Sequence, residues 1–107
     1  MGYLVYGPQL DAYAFDDRVL AHLRVVIVMK LRRQEPFTFS WTLPPGGGRV
    51  SLWLAPSIPI EFRFAERREP ALNRAWLDSL ASVAAGPSGL VLLPEPDDRR
   101  GGPPVVW

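Results

Sequence analysis

The sequence predicts a single α+β domain: a mostly antiparallel sheet with a central three-stranded meander, and two helices packed on its apolar face. Three observations carry this. The chain has 107 residues, 48% of them hydrophobic, which suits one compact core without a metal or disulfide staple. Three consecutive segments alternate apolar and polar residues with period two, the mark of half-buried strands. Helical patterns stand on either side of them, so the order reads strand, helix, three strands, helix, strand.

The opening "GYLVYG" is a short apolar run closed by Gly7 and Pro8, and it predicts a strand. "LDAYAF" follows as a second strand or as an extended entry to the helix. The helix spans residues 16–33, "DDRVLAHLRVVIVMKLRR". Asp16 or Asp17 supplies its N-cap, Lys30, Arg32 and Arg33 suit the negative end of its dipole, and Pro36 stops it.

In "FTFSWTL", "VSLWL" and "IPIEFRF" the apolar side chains fall on every second residue, which predicts the meander. "PPGGG" and "APSIP" supply its turns, and Pro59, having no amide hydrogen, belongs at an edge or an unpaired position. The second helix is expected near Pro70, with a stripe of Leu72, Trp76, Leu80 and Val83, and Gly86-Pro87 ends it. "GLVLLP" reads as a buried strand. Residues 1–96 form the domain in this reading, and residues 97–107 have the composition of a flexible C-terminal tail.

Bulk chemistry narrows the function classes. There is no cysteine, which removes disulfides, thiol catalysis and cysteine–zinc sites, and with a Met start and no signal peptide predicts a cytoplasmic protein. The longest apolar run, "VVIVM", is too short to span a bilayer, so no membrane partner is expected. A net charge of +1 is weak for a general nucleic-acid binder. Eleven of the twelve cations are arginine, a bias that a GC-rich genome explains.

No constellation of catalytic residues stands out, and no cofactor or metal is expected. His22 is the only histidine, too few for a multi-histidine metal site, and it reads as a helix-surface residue. Asp16-Asp17 is accounted for by capping. "PPGGGR" leads into a strand and lacks the Lys-Ser/Thr of a phosphate loop, so it is a hairpin.

Two surfaces remain. Leu20, Leu23, Ile27 and Leu31 line one side of helix 16–33, while Arg18, His22, Val25, Met29, Arg32 and Arg33 lie almost opposite, with Val28 beside them. That second side is either covered by the second helix or terminal strands, or a homodimer seam, or a docking site for another protein. On the sheet's outer face, Trp53 shares its side with Ser40, Ser51 and Arg63, an arrangement that could stack a base or anchor a peptide unless the tail, through Val105, Val106 or Trp107, covers it.

The stretches "MGYLVYG", "DDRVLAHLRVVIVMKLRR", "FTFSW", "SLWLAPSIPIEFRF", "EPALNRAWLDSL" and "SGLVLLPEP" together resemble a small actinobacterial family whose members commonly carry the label "ATP-dependent DNA ligase". The resemblance lends no catalytic residue. Ligases of that kind form a lysyl-adenylate on K-x-D-G, whereas the sole lysine here lies in "MKLRR", and the chain is far shorter than an adenylation domain. The expectation is therefore a non-enzymatic interaction module, self-associating or binding a protein through helix 16–33. Two alternatives stand beside it. One is a weak nucleic-acid-binding accessory protein, linked to DNA repair by the family's label alone, using Arg18, Lys30, Arg32, Arg33, Arg63 and Trp53; the other is an enzyme of unrecognised type.

Overall fold

The computed structural model describes residues 1–97. Eight elements follow one another: β1 (Gly2–Tyr6), β2 (Asp11–Phe15), α1 (Asp17–Arg32), β3 (Phe37–Thr42), β4 (Arg49–Leu54), β5 (Ile60–Arg63), α2 (Arg74–Ala84) and β6 (Leu90–Val91). The α+β class is as expected. Of the expected tail, 97–107, all but Asp97 lies outside the described residues, as do the proposed contacts of Val105, Val106 and Trp107.

The expected single sheet is instead two three-stranded sheets, ordered β2-β1-β5 and β4-β3-β6. β3 and β4 form the predicted hairpin, with Phe39 opposite Leu52 and Ser40 opposite Ser51. The third strand of the meander leaves it. β5 pairs antiparallel with β1, Tyr6 opposite Ile60 and Tyr3 opposite Arg63. Alternation marks the buried face of a strand but not its neighbour, and the linker between β4 and β5 is no tight hairpin turn. It closes its own turn through the Ile58 amide and the Ala55 carbonyl, and the Pro59 carbonyl accepts from the Gly7 amide of the other sheet. Pro59 precedes a strand paired on one side only, as its missing donor requires.

β6 joins the second sheet parallel to β3, Phe39 beside Leu90. Its approach depends on Gly89, whose φ is +73° and whose Cα faces the Thr38 backbone; a Cβ there would lie 2.4 Å from the Thr38 carbonyl oxygen. The two sheets meet in a cluster of rings. Phe15 of β2 stands 5.1 Å from Trp41 and 6.1 Å from Phe39, both on β3. Leu4, Leu20, Leu23, Ile27, Leu54, Leu77 and Leu80 complete the same core, each fully buried.

The helix ends differ from expectation in instructive ways. Asp16 occupies the N-cap position of α1 but its side chain makes no capping bond. Asp17 is used instead to hold the segment after β5: its two carboxylate oxygens accept from the Ala65 and Glu66 amides, at 3.0 Å each. Those bonds hold the carboxyl below its usual range. Pro70 lies ahead of α2 rather than in its first turn, and Asn73 is the N-cap, accepting from the Trp76 amide at 3.2 Å. No helix among the described residues is long and apolar enough to cross a membrane.

Candidate functional site

Helix α1 carries more apolar residues than one face can hold, and the fold divides them between two layers. Leu20, Leu23 and Ile27 enter the common core as expected. A second row at four-residue spacing, His22, Val26 and Lys30, is also buried and faces α2. His22 meets the start of α2 and Lys30 its end, so the two helices run in the same direction.

His22 is therefore no surface residue: its side chain is fully buried. Its Nδ1 lies 2.7 Å from the Arg18 carbonyl oxygen and its Nε2 accepts from the Asn73 amide at 2.8 Å. A nitrogen that accepts carries no proton, so the ring is neutral, with its proton on Nδ1. Burial pushes its pKa down, and the Arg18 charge adds to this against the opposing pull of the Arg18 carbonyl and Glu95. The Trp76 ring packs 4.5 Å away.

Arg18 is likewise engaged within the domain. Nε and one terminal nitrogen donate to the two Glu95 oxygens at 2.8 and 2.6 Å, and the other terminal nitrogen donates to the Ala71 carbonyl at 2.7 Å. The guanidinium, helped by the Asn73 amide group, holds the Glu95 carboxyl at about 2. Asn73 Nδ2 also donates to the Pro96 carbonyl, so one polar cluster ties together α1, the start of α2 and the segment after β6.

Lys30 is buried beneath the end of α2. Its ammonium donates to the Ala84 carbonyl at 2.9 Å and to Glu35 at 3.2 Å, and it stands 5.3 Å from the centre of the Phe37 ring. It is a structural cation.

Because α2 covers the His22–Val26–Lys30 row, another part of the expected second side is left open. Val25, Val28 and Met29 remain half-buried, and Arg24, Arg32 and Arg33 are exposed. These six residues line a surface concavity of about 360 Å³, and no carboxylate lines it. Two further concavities adjoin it toward the N-terminal end of α1, of about 280 and 830 Å³, between the helix and the segment from Phe64 to Leu72. Arg24 and Val25 contribute to all three, so the result is one shallow trough along the outer side of the helix. Of the residues expected here, Val25, Met29, Arg32 and Arg33 line the trough, Arg18 lines its N-terminal part while its guanidinium bonds to Glu95 and Ala71, and His22 belongs to the internal cluster alone. Arg24 and Leu72 are additions. Arg24 is adjacent to this side on the helical wheel, but Leu72 is brought in only by tertiary packing.

The outer sheet face is divided. Trp53 is 55% exposed and lies opposite Thr38, and the Ser40 and Ser51 hydroxyls bond to each other at 2.8 Å. Arg63 is on the other sheet and paired with Glu61 at 2.6 Å. The Tyr6 hydroxyl donates to the Trp53 carbonyl, and Tyr6 pairs with Ile60, so Trp53 neighbours the opposite end of β5 from Arg63. The cations and ring of the expected nucleic-acid platform are thus spread over separate parts of the fold, and three of the cations, Arg18, Lys30 and Arg63, are bonded within the domain.

Among the described residues, no group of three His, Asp or Glu side chains is placed to hold a metal ion. No curated protein and no solved structure matches the chain. A family profile does match, over residues 1–95, and its description is a domain of unknown function, DUF7882. The chain belongs to the DUF7882 family.

Proposed function

We propose that this domain is a non-enzymatic interaction module that docks a protein along the outer side of α1. The observation that supports this reading is the half-exposed row Val25, Val28 and Met29, set at helical spacing in a trough that the other described residues leave open. Apolar side chains at such spacing are the usual anchors of helix-in-groove recognition. The ligase label carried by the resembling family fits poorly beside this proposal, because the sole lysine is enclosed by Ala84, Glu35 and Phe37.

The docked protein is either a second copy or another chain. Light scattering across a concentration series, on the wild type and on Met29→Glu, tests the reading. Self-association that Met29→Glu abolishes with the urea midpoint unchanged supports docking between copies. A monomeric wild type whose Met29→Glu variant stays as stable supports a surface kept for a different chain. Strong destabilisation by Met29→Glu overturns the proposal, because it makes that side part of the core.

A further inference from the structure

We infer that the part of the trough around Val28 takes an acidic amphipathic segment of another protein, docked as a helix along α1, whereas the two parts nearer the N-terminal end carry Asp16, Asp17, Glu66 and Glu69. The inference rests on the docking reading above and adds the chemistry of the partner. The part of the trough around Val28 holds three apolar side chains and three arginines, Arg24, Arg32 and Arg33, with no carboxylate among its lining residues. From Arg24 to Arg33 the helix runs about 13 Å, between two and three turns, which matches a partner helix presenting two or three apolar anchors with carboxylates beside them.

The same arrangement disfavours a second copy. A two-fold contact centred on this part of the trough places the same patch on both subunits and brings Arg24, Arg32 and Arg33 against arginines of the same set. Like charges across an interface suppress association. It also disfavours nucleic acid, because Val25, Val28 and Met29 separate the arginines and offer no aromatic ring on which a base can stack. Carboxylates satisfy all three arginines, and Arg receives a carboxylate in a bidentate geometry.

Fluorescence anisotropy at low salt tests this with synthetic labelled peptides. The probe is an 18-residue helical peptide with leucines at positions i, i+3, i+4 and i+7 and glutamates on the flanks. Comparators are its lysine counterpart, the same acidic peptide with serine for leucine, a neutral glutamine version, and a single-stranded oligonucleotide. The expected result is micromolar binding of the acidic leucine peptide, at least tenfold tighter than every comparator, and weakened severalfold by added salt. Val25→Glu reduces it at least tenfold. In Arg32→Glu/Arg33→Glu the preference reverses toward the lysine peptide.

Equal or tighter binding of the neutral or lysine peptide, still lost in Val25→Glu, overturns the acidic partner and leaves the docking reading standing. Binding that Val25→Glu and Met29→Glu do not change, in variants that remain folded, overturns the docking reading as well. Tighter binding of the oligonucleotide, or a dimer that Met29→Glu dissociates, overturns the acidic partner in favour of the other occupant. No binding of the acidic peptide by the folded wild type overturns the inference outright.

Discussion

Acidification from pH 6.5 to 5 should destabilise this domain through one residue. His22 is the only histidine in the chain, and the structure holds it neutral, one ring nitrogen accepting from the Asn73 amide at 2.8 Å. A proton on that nitrogen would face an N–H group, and both would lose a partner in a buried site. The unfolded chain has no such constraint and takes up the proton near the ordinary value of 6.5. Between the lowered native value and 6.5, the unfolded state binds more protons, so stability falls as the pH falls. One unit below 6.5 the loss reaches at most about 1.4 kcal/mol, the limit for a native state that takes up no proton. Glu95 and Asp17 do not blur this window, because both carboxyls are held below their usual range and their contributions are lost only on going below about 4.5.

His22→Phe isolates the cause. The substitution keeps a ring against Trp76 but leaves the buried Asn73 amide without its acceptor, at a cost of about 1–3 kcal/mol at neutral pH. Urea unfolding followed by tryptophan fluorescence measures both effects, since Trp76 packs directly on the imidazole. The wild type should lose stability between pH 6.5 and 5, and His22→Phe should start lower and stay level across that range. Parallel pH curves for the two proteins, or a variant as stable as the wild type at pH 7, would refute the reasoning.

Three further outcomes follow from the same contacts. Asn73→Ala removes the α2 cap and the bonds to Glu95 and Pro96, for a loss of about 2 kcal/mol by urea unfolding, with Asn73→Ser recovering the cap alone. Gly89→Ala combines a left-handed φ with a clash on the Thr38 backbone and should cost more than about 2 kcal/mol, read as a lowered Tm. Lys30→Met keeps the aliphatic stem but strips the Ala84 carbonyl and the Glu35 carboxylate of their donor, and should cost about 1 kcal/mol in thermal unfolding, with little dependence on salt.

What the sequence made legible was local. The α1 span, the β3–β4 hairpin, the edge character of β5 and the end of α2 just ahead of Gly86 all follow from patterns within one or two elements. What it concealed was pairing at a distance. β5 has the alternation of a third meander strand, yet β1, more than fifty residues earlier in the chain, is the neighbour it takes. His22 looked like a surface histidine because the amide that satisfies it is on Asn73, in a segment whose capping role was itself masked by Pro70. The docking surface was half legible for the same reason: periodicity exposed the surplus apolar side of α1, and only the placement of α2 decided which part of it stays open.

That placement has an electrostatic logic. Parallel helices put their positive N-termini together and their negative C-termini together, an arrangement that their dipoles oppose. Each end carries a compensating charge. Glu95 stands at the N-terminal end, bonded to Asn73 and to Arg18, and Lys30 stands at the C-terminal end, bonded to the last carbonyl of α2. Both compensating groups are reached from the side of α1 that faces α2, through Arg18 at one end and Lys30 at the other. Arg32 and Arg33 also stand at the C-terminal end of α1, but on its outer side with Arg24. Their charge is left on the outer side beside Val25, Val28 and Met29, where it is available to a partner.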